Sequence, residues 1–393
     1  MTYRFGAFEL DTPRFELRRD GAPVPLEPQV FELLALFVSR AGELVTRDEM
    51  IDAVWGGRIV SEATISSRVN AVRRALGDDG RRQAMLRTVP RRGFRFVAPV
   101  ESGDRAAPMT TLAGGDQTVR VARSADGTRI AYAVSGAGPP LLRAGHFLTH
   151  LERDWHSPIW RPLLDRLGTR FTVIRYDQRG TGLSDREPGD LDLDRLTEDL
   201  RAVADAAGLE RFPIFAASQG VPVSLAFAAR HPERVSRLAL YGGYVEGRSR
   251  RGSGEDLERA SAILTMIREG WGVPDSPFAT AFATLYLPDA GREERESIVA
   301  TQLASATPAG AVALRLAIDA FDVSARLGQV AAPALVLHAR GDAVQPVSEA
   351  LRLAEGLPDA RLRILDSRNH VSVPTDPAWR EMTEAVIGFL SEG

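Results

Sequence analysis

The sequence predicts an α/β protein of two domains: a small α+β unit of three helices and a β-hairpin, then a larger α/β domain carrying a helical cap. Three observations predict it. Apolar residues recur at helical spacing three times between residues 28 and 76, and two short β-like runs follow them. From residue 118 onward β-like runs alternate with helical segments, the mark of a parallel sheet flanked by helices. Between the two patterns, residues 101–117 are polar, small and turn-rich, as linkers are. The expected layout is therefore 1–100, a linker over 101–117, and 118–393 with its cap at about 246–326.

A chain of 393 residues is long enough for more than one buried core. The absence of cysteine excludes disulfides, a thiol nucleophile and thiolate-bound zinc. The opening Met1-Thr2-Tyr3-Arg4-Phe5 lacks the basic-then-apolar layout of a signal peptide. No apolar run approaches the ~20 residues of a membrane-spanning helix, so no membrane partner and a cytoplasmic location are expected. Total net charge is −3, yet between residues 58 and 98 ten arginines face Glu62, Asp78 and Asp79, a local charge of +7. A basic stripe on a mildly acidic protein is suited to phosphate binding.

Within the first unit, β-like runs at Arg4–Leu10 and Arg14–Arg18 alternate with turns at Thr12-Pro13 and Asp20-Gly21. Pro28–Arg40 places Val30, Leu33, Leu34, Phe37 and Val38 on one helical face, and Gly42 stops it. Thr46 opens the next helix with Glu49 three residues on, a capping box, and Trp55-Gly56-Gly57 ends it. A third helix runs from Ser61 through Leu76. Leu86–Val89 and Phe94–Val97 then flank the turn Pro90-Arg91-Arg92-Gly93. Ser66, Ser67, Arg68, Asn70, Arg73 and Arg74 of the third helix suit phosphates or base edges, as do Arg91 and Arg92 at the hairpin tip.

Over residues 3–98 this order resembles the OmpR-type winged helix. The matching pieces are Val45-Thr46-Arg47-Asp48-Glu49-Met50, Val54-Trp55-Gly56, the run from Arg68 to Asp78, and Arg87-Thr88-Val89-Pro90-Arg91-Arg92-Gly93-Phe94-Arg95-Phe96. The Pro-Arg-Arg-Gly-Phe segment is most similar to the CadC-like branch. The resemblance implies double-stranded DNA as a partner, bound as a homodimer. Neither a phospho-accepting receiver before the winged helix nor a membrane helix after it is expected, so the input signal is expected from the second domain.

In the second domain strands are expected at Val119–Arg123, Arg129–Val134, Pro140–Ala144, Phe171–Asp177, Phe212–Ala217, Arg237–Tyr241, Ala334–Ala339 and Arg361–Leu365. Between the fifth strand and the helix at Val221–Ala229 lies Ala216-Ala217-Ser218-Gln219-Gly220, a nucleophile elbow with Ala in its first position. The small flanking residues are what a close strand–helix approach demands. Arg340-Gly341-Asp342 follows the seventh strand, and Asp366-Ser367-Arg368-Asn369-His370 follows the eighth. The order Ser218, Asp342, His370 assigns a nucleophile, an orienting carboxylate and a general base.

This pattern resembles the α/β-hydrolase fold over about 118–393, including Tyr176-Asp177-Gln178-Arg179-Gly180-Thr181-Gly182-Leu183-Ser184-Asp185. Where many members carry His-Gly, this chain has Gly145-His146, effectively swapped. The resemblance implies an oxyanion hole from the backbone amides of Phe147 and Gln219. His146 either adds a donor there or blocks the pocket. In the cap, Leu264, Ile267, Trp271, Phe278, Phe282 and Tyr286 either line an apolar substrate site or form the cap's own core. With no Gly-rich phosphate loop and no clustered metal ligands, no cofactor or metal is implied. The expected function is a transcriptional regulator whose second domain senses and cleaves a small ester, amide or acyl-type molecule. A non-catalytic ligand sensor, and a hydrolase whose winged helix serves only assembly, stay open.

Overall fold

The computed structural model describes residues 2–12, 16–24, 26–55, 60–78, 82–90, 92–102, 117–147, 149–187, 189–273 and 275–392. The chain divides into two compact units, Met1–Ala107 and Pro108–Gly393.

The first unit opens with an antiparallel meander of β1 (Thr2–Phe5), β2 (Phe8–Asp11), β3 (Glu16–Arg19) and β4 (Ala22–Val24). The run expected over Arg4–Leu10 is thus two strands. Phe5 and Phe8 stand three apart and would face opposite sides of one strand. A turn at Gly6, with φ +56°, lets both enter one core, where their rings stack 5.6 Å apart. Next come α1 (Pro28–Ser39), the two-residue β5 (Val45–Thr46), α2 (Arg47–Trp55) and α3 (Glu62–Leu76). The Thr46 amide donates to Glu49 Oε2 at 2.7 Å and the Glu49 amide returns to Thr46 Oγ1 at 3.3 Å, the expected capping box. Helix α3 starts on the Ser61 hydroxyl and ends on Gly77 in the left-handed region.

Strands β6 (Leu86–Val89) and β7 (Gly93–Phe96) form the expected hairpin, and β7 also pairs with β5. A Cβ on Gly93 would fall 2.0 Å from the Val45 carbonyl oxygen, so only glycine lets these strands pass. Phe37, Val72, Leu86 and Phe96 close the core between helices and hairpin. Finally β8 (Glu101–Ser102) pairs with β1, so the first two residues of the expected linker belong to a sheet. Residues 103–116 of that linker lie outside the described residues.

The second unit is built on eight strands: β9 (Thr118–Arg123), β10 (Arg129–Gly136), β11 (Pro140–Arg143), β12 (Thr172–Tyr176), β13 (Phe212–Ala217), β14 (Val235–Tyr241), β15 (Ala334–Ala339) and β16 (Ala360–Leu365). Their order is β9-β10-β12-β11-β13-β14-β15-β16. Six strands run parallel, but β9–β10 and β10–β12 are antiparallel, a departure from the all-parallel expectation. For β9 and β10 the reason is connection length: the Asp126-Gly127 turn between them is too short for the crossover that a parallel pair requires.

Core helices α4 (Leu151–His156), α5 (Trp160–Gly168), α6 (Leu193–Ala206) and α7 (Gly220–Arg230) are followed by the insertion. It comprises α8 (Arg248–Arg251), α9 (Gly254–Gly270), α10 (Pro277–Tyr286), α11 (Arg292–Ser305) and α12 (Pro308–Asp319). A single bridge between Glu246 and Asp322 ties its base. Helices α13 (Val347–Gly356) and α14 (Ala378–Ser391) complete the unit. Among the described residues no single helix is long and apolar enough to cross a membrane.

Candidate active site and DNA-facing surface

Ser218 occupies the turn between β13 and α7 with φ +50°, a conformation that a serine adopts only under constraint. Its amide donates to the Tyr241 carbonyl at 2.8 Å, and the Val221 amide closes the turn onto the Ser218 carbonyl at 3.0 Å. The turn is tight because α7 starts against the exit of β11. A Cβ on Gly220 would lie 2.6 Å from the Gly145 carbonyl oxygen and 3.3 Å from Ala144 Cβ. This close approach also brings Gly145, His146 and Phe147 beside the serine.

The ends of β15 and β16 supply the other two groups. Ser218 Oγ lies 2.8 Å from His370 Nε2, and His370 Nδ1 lies 2.6 Å from Asp342 Oδ2. Asp342 Oδ1 accepts from the amides of Val344 at 2.7 Å and Gln345 at 3.0 Å. Burial alone would raise this carboxyl. The charge and hydrogen bond of His370, with the Gln345 amide and nearby His338, outweigh that and hold it below the usual range. Tyr286 of the cap fixes His370 from the other side: its carbonyl accepts the His370 amide at 2.9 Å, and its ring meets the imidazole edge-on at 5.3 Å.

Ser218 and His370 line a partly open cavity of about 40 Å³. Its walls are apolar: Phe147, Trp160, Leu163, Phe215, Ile298 and Met382. The amides of Phe147 and Gln219 have no acceptor within the chain among the described residues. His146 also lines the cavity, and its Nε2 lies 2.9 Å from Nη2 of buried Arg143. Burial, reinforced by Arg143, pushes its pKa well below the ordinary value, so the ring stays neutral. Among the described residues no cluster of His, Asp or Glu is arranged to hold a metal ion.

Of the six cap residues proposed from sequence, Tyr286 reaches the cavity. Ile267, Trp271 and Phe282 are buried in the cap, Leu264 is half-buried and Phe278 is exposed. Trp160, Leu163, Phe215, Ile298 and Met382 gave no sequence signal, because they come from four separate elements that only the fold brings together. The Tyr176–Asp185 loop serves as scaffolding. Gln178 Oε1 accepts from Gln219 Nε2 at 2.7 Å, and fully buried Arg179 forks onto Asp199 at 2.6 and 2.7 Å.

In the first unit Ser66, Ser67, Asn70 and Arg74 are exposed on α3, and Arg92 is exposed at the hairpin. Arg68 is half-buried and paired with Glu27 at 2.5 Å. Arg91 lies outside the described residues. Arg73 is a correction: it is only 8% exposed. Its Nη2 donates to the Leu86 carbonyl at 3.1 Å and to Thr88 Oγ1 at 2.8 Å, and its guanidinium lies 5.9 Å from the centre of the Phe94 ring. Position 73 follows Val69 and Val72 onto the inward helical face, so this arginine joins α3 to the hairpin. The reading also missed Arg87 and Arg95, which are exposed and directly opposite each other on β6 and β7. Strand alternation carried that signal. Like charges facing each other are unfavourable unless an anion joins them.

A family model for the C-terminal domain of transcriptional regulatory proteins matches residues 21–96, and one for the alpha/beta hydrolase fold matches residues 148–260. Proteins carrying the name carbamate hydrolase RutD are similar to the second unit. The one from Caulobacter sp. (strain K31) is 30% identical over 236 residues, 59% of this chain and 85% of that protein. The chain belongs to the α/β-hydrolase family.

The Agrobacterium fabrum RutD protein is 29% identical over 251 residues, 59% of this chain and 93% of that protein. Transcriptional activator CadC of Escherichia coli (strain K12) is 35% identical over 86 residues, 22% of this chain and 17% of CadC. Among solved structures, a hydrolase from Pseudomonas aeruginosa PA01 superposes with a TM-score of 0.57 at 26% identity. It covers 70% of this chain and 98% of its own. The enol-lactonase of Burkholderia xenovorans LB400 gives 0.55 at 26%, covering 70% of this chain and all of its own. The chain thus joins an OmpR-type DNA-binding domain to a hydrolase domain.

Proposed function

We propose that this protein is a transcriptional regulator whose hydrolase domain senses and cleaves a compact, uncharged ester, amide or carbamate. The observation that carries the proposal is the hydrogen-bonded series Ser218–His370–Asp342 opening into an apolar cavity. In this reading His370 Nε2 takes the proton as Ser218 Oγ attacks the acyl carbon, and Asp342 stabilises the imidazolium. The amides of Phe147 and Gln219 hold the oxyanion. His370 then protonates the leaving group, and a water molecule releases the acyl group by the same steps in reverse order.

Cavity size and chemistry set the substrate class. At roughly 10–15 Å³ for each enclosed water, 40 Å³ admits a few heavy atoms. Drug-sized ligands need several hundred. Among the described residues no aspartate, glutamate, lysine or arginine lines the cavity, which disfavours a carboxylate-bearing substrate. A small carbamate, as in the name of the RutD relatives, fits both conditions. On the DNA side, Arg74, Arg87, Arg92 and Arg95 are the phosphate-facing cations, and binding is as a homodimer on paired half-sites. Occupancy of the cavity shifts DNA affinity.

The test combines hydrolysis of small aryl esters and carbamates with a mobility shift on the protein's own upstream DNA. The proposal expects turnover that Ser218→Ala abolishes and a salt-sensitive shift that Arg92→Ala weakens. Absence of both activities in folded protein overturns it. DNA binding and ligand binding without turnover move the account to a sensor that keeps the fold alone.

A further inference from the structure

We infer that His146 is a third hydrogen-bond donor of the catalytic cavity, presenting Nδ1–H to the carbonyl oxygen of the substrate, with Arg143 as the positioning residue that fixes this tautomer. The inference rests on the Ser218 reading above and explains why this chain tolerates Gly145-His146.

Arg143 ends β11 and is 3% exposed. Its Nη2 meets His146 Nε2 at 2.9 Å, while its Nε finds no partner among the described residues. A guanidinium only donates, so Nε2 must accept, and a neutral imidazole then carries its proton on Nδ1. Both groups are clamped against one indole. The Arg143 guanidinium carbon lies 4.6 Å from the Trp160 ring centre, and the His146 ring lies 4.7 Å from it. Rotating the imidazole would turn a C–H toward the guanidinium and break the contact.

The free nitrogen is assigned to the cavity side. His146 lines the cavity, and among the described residues Nδ1 has no hydrogen-bond partner and is not sealed from solvent. Phe147, whose amide is a proposed oxyanion donor, is the next residue, and Gly145 touches the start of α7 at Gly220. The swapped pair therefore delivers a side-chain donor to the same side of the cavity as the backbone donors. A buried arginine with an orphan Nε is an expensive way to support packing alone. It is accounted for when the imidazole must hold one proton at one nitrogen. Because burial and Arg143 both disfavour the charged ring, the donor does not titrate across the working pH range. The group recognised is a neutral ester or carbamate carbonyl, the acceptor that three converging donors suit.

The experiment uses the full chain and p-nitrophenyl acetate, with thermal unfolding as a check on folding. His146→Phe removes the donor and should lower kcat about 10²-fold, with little change in KM. His146→Asn places an amide N–H near the Nδ1 position and should restore activity to within about tenfold of wild type. In parallel, ¹⁵N-histidine NMR of the His370→Ala protein should show a neutral histidine protonated at Nδ1 that does not titrate. Arg143→Met should abolish that signal, a change that loss of packing alone does not produce. A folded His146→Phe protein with wild-type kcat, or a His146 ring protonated at Nε2, overturns the inference while leaving Ser218 chemistry intact. An inert wild type whose Ser218 resists acylation removes the hydrolase reading, and this inference with it.

Discussion

Substituting Gly220 by alanine probes the contact on which the site is built. Gly220 has an ordinary helical conformation, so backbone strain plays no part and the effect is steric. The added Cβ would sit 2.6 Å from the Gly145 carbonyl oxygen, about 0.8 Å inside ordinary contact. The oxygen cannot yield cheaply, since β11 is hydrogen-bonded to both β12 and β13 and the Ala144 amide is held by the Phe215 carbonyl at 2.9 Å. Overpacking of this kind costs about 1–3 kcal/mol. For a domain of this size that corresponds to roughly 2–10 °C in Tm. The same displacement separates the start of α7 from the Gly145–Phe147 segment. A donor moved by ~0.8 Å from a ~2.9 Å hydrogen bond no longer makes one, and one lost oxyanion donor is worth about 10²–10³ in kcat. Gly220→Ala should therefore lower kcat on p-nitrophenyl acetate about 10²-fold while Tm falls by only a few degrees. Unchanged Tm together with kcat within about threefold of wild type would refute the reasoning, because the two backbones would then have room to spare.

Other perturbations separate the remaining roles. Asp342→Asn leaves the geometry but favours the wrong imidazole tautomer, so kcat should fall by roughly 10³–10⁴; a loss under tenfold contradicts that role. Arg92→Ala and Arg87→Ala should each reduce the salt dependence of DNA binding by about one counterion, whereas Arg73→Met should lower Tm first, as read by mobility shift and thermal unfolding. Chain-length series of p-nitrophenyl esters should show rates falling steeply beyond about four acyl carbons, given the 40 Å³ cavity; equal rates for a long acyl chain would contradict it. Burial raises the Asp154 carboxyl to about 7, so folding binds a proton there that the unfolded chain releases near pH 4. Stability from this group falls as pH rises from about 4 to 7 and is flat above, so Asp154→Asn should raise Tm at pH 8 but not at pH 4; denaturation curves at both values decide it.

Much of the architecture was legible because local pattern and tertiary role agree. Ser218, Asp342 and His370 each follow a strand in the hydrolase order, the first two strands being apolar runs. The capping box at Thr46 and Glu49 and the start at Ser61 placed two helices from chemistry within a few residues. What escaped was set by contacts distant in sequence. Arg4–Leu10 read as one strand because alternation cannot register that Phe5 and Phe8 share a core. Arg73 read as a DNA contact because an arginine among arginines suggests solvent, whereas its helical position faces the hairpin. Arg143 and Arg175 gave no warning of burial, being cations inside strands that read as apolar. Met382, from α14, enters the cavity only through the fold.

The most direct test of the central claim is labelling of the full-length protein with a fluorophosphonate probe, followed by mass mapping of the modified residue. The account requires one adduct, on Ser218, that Ser218→Ala removes and His370→Ala suppresses. A folded wild-type protein that takes up no label, or a label that survives Ser218→Ala, would contradict it.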